Sequence, residues 1–204
     1  MSEIEKLTAD VDVAEYLDKY VDFEEVSKLC IAEQEELGYN WNYPPFDFDV
    51  NDSDISEQIE LFSPEKWLVL KEAEKKEVIA NTAKTIGDKL GVENIPEVEF
   101  YEANKHDCGA FCPNRNVISV NSNNFDNPQE ILDTIAHEMR HAYQRYRADL
   151  CENAQDELYK FNYEHYISPE RDVDGKYVNF FDYYLQYIEV EARAYAKEFT
   201  REVA

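Results

Sequence analysis

At 204 residues the chain has the length of one domain with a sizeable core, and its 44% apolar and 14% aromatic content is ordinary for a folded protein. The charge is not ordinary: 45 acidic against 20 basic side chains leave a formal charge of −25. Such a surface repels nucleic-acid phosphates and anionic membranes and attracts cationic proteins or peptides, so neither nucleic acid nor membrane is expected as a partner. No apolar run approaches the roughly 20 residues of a membrane span, and the start Met1-Ser2-Glu3-Ile4-Glu5-Lys6 lacks the basic and apolar regions of a signal peptide. The expected location is cytoplasmic, with Cys30, Cys108, Cys112 and Cys151 as reduced thiols.

Along the chain, residues 12–37 carry apolar positions at helical spacing, including Leu17, Val26 and Leu37, before the stop at Gly38. Residues 39–62 read as an irregular aromatic and acidic loop, and 1–62 as an acidic helical extension to a domain spanning 63–204. A helix is expected from Ser63 as N-cap and Pro64 at its first position to Gly91. Val98-Glu99-Phe100-Tyr101 alternates as a strand, and Gly109–Cys112, the turn Pro113–Asn116 and Val117–Asn121 read as a hairpin. Asn127 as N-cap, Pro128 at N1 and Glu130 at N3 form the capping-box signature of a helix running to about Leu150. After a Tyr-rich connection, a last helix is expected over roughly 181–201.

The most informative residues lie on the Asn127-capped helix: His137-Glu138-Met139-Arg140-His141. Histidines four apart share a helix face and can present two imidazole nitrogens to one Zn²⁺, while the glutamate between them serves as general base. With ~100° of turn per residue, Ile131, Ile135, Met139, Ala142 and Tyr146 cluster within about 80° on one side. His137 and His141 fall opposite, beside Glu130, Thr134 and Gln144, as a site facing a cleft requires.

A third protein ligand is needed. The metzincin pattern would place Gly at 144 and His at 147; the chain has Gln144 and Arg147. The alternatives are Glu189 and Glu191 on the last helix, whose apolar face is Leu185, Ile188, Ala192, Ala196 and Phe199. Glu189 lies nearer that face, beside two alanines that permit close approach, and is favoured. Residues two apart point different ways, so both do not bind one ion. Cys108 and Cys112, with His106 nearby, lack the spacing of a second zinc site. His165, Tyr183, Tyr184 and Tyr187 are candidates for an oxyanion donor.

A hairpin, a helix with His137-Glu138-x-x-His141 and a later helix with Glu189-x-Glu191-Ala192-x-x-Tyr195-Ala196 together resemble the small gluzincin metallopeptidases of the ImmA/IrrE-like kind. The likeness covers about residues 96–200. It implies an α+β, zincin-like fold, zinc on His137, His141 and Glu189, and Glu138 as base. It also implies an edge strand within Gly109–Val120 that holds an extended peptide or protein substrate. At the position four after Glu189, where that family commonly has Asn or Asp, this chain has Arg193. The expected function is zinc-dependent peptide hydrolysis. The alternatives are an acidic metallopeptidase-like binding protein engaging a basic partner, and metal-dependent hydrolysis of another bond.

Overall fold

The computed structural model describes residues 53–170, 172–173 and 178–201, so the expected helix over 12–37 lies outside the described residues. The described chain is α+β: helices α1 (Ser53–Glu60), α2 (Pro64–Trp67) and α3 (Glu72–Leu90), then strands β1 (Glu97–Tyr101), β2 (Gly109–Cys112) and β3 (Val117–Asn121). Helices α4 (Pro128–Leu150), α5 (Ala154–Glu164), α6 (Phe180–Tyr184) and α7 (Tyr187–Arg201) follow.

Where the sequence pattern predicts a loop up to residue 62, α1 forms and buries Ile55 and Ile59. These two and Phe62 share one core with Ile79, Ile86, Ile118, Ile131 and Phe199, so the boundary drawn at 62 runs through packed side chains. The single helix expected from Ser63 to Gly91 is broken after Trp67. Trp67 is fully buried, stacks on Phe62 and donates its indole N–H to the Phe125 carbonyl at 2.7 Å. Leu68 and Val69 are left 74% and 78% exposed before the chain re-enters helix with the Lys71 N–H bonded to Glu74. A tertiary anchor 58 residues away thus overrides a local helix signal.

The sheet has the order β1-β3-β2. The expected hairpin is present, with β2 antiparallel to β3 and Asn116 taking the left-handed turn conformation at φ 51°. β1 pairs with β3 in parallel, which makes Val117–Asn121 the buried central strand. Of the segment expected as an edge, only β2 is one.

Helix α4 runs over its predicted length. The Asn127 side chain accepts from the Glu130 N–H, but Glu130 does not complete a capping box; its carboxylate takes the Cys108 thiol at 3.0 Å. Ile131, Ile135, Met139 and Ala142 are buried as the wheel requires. Two further corrections fall at the C-terminal end. The Tyr-rich connection contains α5, capped by Asn153 accepting from the Asp156 N–H. The last helix is two pieces, because the chain turns at Leu185 and Gln186, and Leu185 leaves the apolar face that Ile188, Ala192, Ala196 and Phe199 do form. α7 packs along α4, and α5 covers the joint between them. Among the described residues no helix is long and apolar enough to cross a membrane, and Cys108, Cys112 and Cys151 are free thiols.

Candidate metal centre

Helices α4 and α7 bring His137, His141 and Glu189 together, and one ligand atom from each lies within 4.8 Å of the others. The two imidazole Nε2 atoms are 3.0 Å apart; Glu189 places Oε2 at 3.5 Å from His137 Nε2 and Oε1 at 3.6 Å from His141 Nε2. Metal–ligand bonds of about 2.0–2.1 Å in a tetrahedron separate ligand atoms by about 3.3–3.4 Å, so these spacings bracket what one Zn²⁺ requires. The three side chains are 15%, 12% and 2% exposed, and all three donor types suit zinc. His137, His141 and Glu189 therefore lie close enough to hold a metal ion.

Electrostatics favours a cation there. The two Nε2 atoms face each other at 3.0 Å, a spacing that two nitrogen lone pairs tolerate only with a proton or a metal cation between them. Burial works against a charged His141, but the Glu189 carboxylate outweighs it and lifts the imidazole to about 9. Burial likewise opposes ionised Glu189, yet His141 and His137 hold its carboxyl well below the usual range.

Glu191 points elsewhere, as two positions along a helix demand. Its Oε1 accepts from the Arg140 guanidinium and, at 2.7 Å, from the Tyr159 hydroxyl, while Oε2 accepts from the Gln144 amide. Gln144, named in the sequence only as a neighbour of the histidines, touches the site directly. Its Nε2 donates to Glu191 Oε2 and to the Ile188 carbonyl at 3.0 Å, which leaves Oε1 for His141 Nδ1 at 2.9 Å. An amide held that way accepts from Nδ1–H, and Nε2 of His141 is the nitrogen that faces His137 and Glu189. Orientation of a ligand histidine thus comes from Gln144 on α4. Arg193 instead donates to Glu189 Oε2 at 3.3 Å and to the Tyr184 carbonyl at 2.7 Å, lying over the Tyr184 ring.

Glu138 sits beside the cluster, with Oε2 accepting from the Phe111 backbone N–H at 2.7 Å. That N–H is on the outer side of β2, since Cys108 and Asn121 form a hydrogen-bonded pair and the alternation of an antiparallel ladder turns Phe111 outward. β2 can lie this close to α4 because residue 109 is glycine: a Cβ there would meet the Ser119 oxygen and the Thr134 methyl, each at 2.6 Å. A cleft of about 1210 Å³ opens from His137 and Glu138, floored by Thr134 and Glu130 and walled by Tyr183, Tyr184 and Arg193.

The four candidate oxyanion donors make other contacts. His165 is exposed, stacked on Phe161; Tyr187 accepts from Gln155; Tyr184 lies under Arg193; Tyr183 lines the cleft. The hydroxyl that reaches the cluster is that of Tyr166, which donates to Glu189 Oε1 at 2.8 Å. Burial, with Glu189 beside it, holds this phenol far above its ordinary range, so it remains a donor. Nothing local marks it among 15 tyrosines. Comparison with protein-family models, curated proteins and solved structures finds no match to this chain.

Proposed function

We propose that the chain is a zinc metallopeptidase of gluzincin type, related to the ImmA/IrrE-like enzymes, with His137, His141 and Glu189 as ligands and Glu138 as general base. The observation that carries the reading is the convergence of those three ligand atoms beside Glu138 at the end of an open cleft. A three-stranded sheet packed on the motif helix, with α7 along its other side, supports a zincin-like fold. The formal charge of −25 favours a peptide or protein substrate, basic in character, over nucleic acid or a membrane.

Zn²⁺ held by the three ligands supplies Lewis acidity that polarises a carbonyl and lowers the pKa of a water. The protein supplies the proton traffic. Glu138 is a carboxylate whose Oε2 is fixed by the Phe111 N–H, so its orientation is set and Oε1 is presented to take the proton of the attacking water. The same oxygen returns the proton to the leaving amine. Tyr166, whose hydroxyl donates to Glu189 Oε1, braces that carboxylate and serves as an oxyanion donor on turning its proton from Glu189 to the carbonyl oxygen.

Replacing Glu138 by Gln tests this directly. A positioned general base contributes about 10²–10⁴-fold, so Glu138→Gln is expected to remove at least that much of any peptidase activity while zinc stays bound. Cleavage at the wild-type rate in that variant would contradict the assignment.

A further inference from the structure

We infer that Glu191 is a positioning residue for the metal centre, acting through Gln144 to fix which nitrogen of His141 faces the ligands; this rests on the metal reading above. Gln144 has two ends and the fold decides which is which. The Ile188 carbonyl and Glu191 Oε2 both demand a donor, so the NH₂ end turns to them and the oxygen end turns to His141 Nδ1. Glu191 is itself locked, because Arg140 and Tyr159 claim its other oxygen. All of Gln144 and Glu191 is buried, so no water can substitute for these partners.

The logic reverses with one atom pair. In Glu191→Gln, Arg140 and Tyr159 keep the side-chain oxygen, and the new NH₂ confronts the NH₂ of Gln144. Gln144 can then no longer serve both sides, because its NH₂ keeps the Ile188 carbonyl only by facing the introduced NH₂, and the hold of its oxygen on His141 Nδ1 is loosened.

Two readouts test this. In the metal-free protein, proton NMR should show a downfield His141 Nδ1–H protected from exchange, and the same proton exchanging much faster in Glu191→Gln. Chelator competition should show zinc bound about 10–100-fold more weakly by Glu191→Gln. If Glu191 only anchors Arg140, Glu191→Gln lowers the melting temperature but leaves the His141 signal and the zinc affinity of the folded variant unchanged; that result overturns the inference. A wild-type His141 Nδ1–H exchanging as fast as that of exposed His106 overturns it without any variant. Should wild-type protein bind no zinc, the metal reading fails, and the His141 signal still judges the orientation on its own.

Discussion

At the scale of single residues, the site depends on which oxygen or nitrogen each side chain turns where. Tyr166 shows this most simply. Its hydroxyl reaches Glu189 from the loop after α5, and only the folded backbone puts it there. Removing an oxyanion donor typically costs about 10²–10³ in kcat. Tyr166→Phe is therefore expected to lower kcat by that order while KM and zinc content stay near wild type, measured with a peptide substrate and by metal analysis. A full kcat in Tyr166→Phe would reduce the residue to a brace for Glu189. The histidine pair and Glu138 were legible in the sequence because the chemistry lives in a five-residue spacing. Gln144 and Tyr166 were not, because their partners, Glu191 and Glu189, lie 47 and 23 residues away. The same distance explains why Glu189 and Glu191 could only be ranked by a helical wheel. Their separation became clear once Arg140 and Tyr159 were seen to hold the latter.

At the scale of elements, legibility followed local encoding. Asn127 and Pro128 state the start of α4 in adjacent residues, and the turn at Asn116 states the hairpin, so both stand where the pattern puts them. The break at Leu68 depends on the distant Phe125 carbonyl, and periodicity alone missed it together with the break at Leu185 and helix α5. The contact of β2 with α4 is an element-level device with a single-residue control, Gly109. A methyl there has no space against Ser119 and Thr134, and overpacking of this kind costs about 1–3 kcal/mol. Gly109→Ala should accordingly lower the denaturant midpoint. It should also reduce activity more than the loss of fold explains, because the Phe111 N–H that fixes Glu138 lies two residues along the same strand. An unchanged midpoint would show that strand and helix separate without cost.

At the scale of the whole molecule, the described residues pack into two cores. The larger joins α1 and α3 to the sheet, α4 and α7; the smaller, of Ala148, Leu158, Tyr159, Tyr187 and Ile188, ties α5 to the α4–α7 pair. His137, His141 and Glu189 lie along the α4–α7 contact, so the rigidity of that helix pair sets the spacing of the three candidate ligand atoms. In a chain with a formal charge of −25, Arg140 and Arg193 stand against the two buried glutamates, where unpaired carboxylates would be costly. The account as a whole stands on the trio of His137, His141 and Glu189 being a metal site. The most direct measurement is the zinc content of protein purified without added metal, for wild type, Glu138→Gln and Glu189→Ala. The account predicts about one zinc per chain in the first two and almost none in the third. Wild-type protein without zinc, or Glu189→Ala protein that keeps it in full, would contradict it.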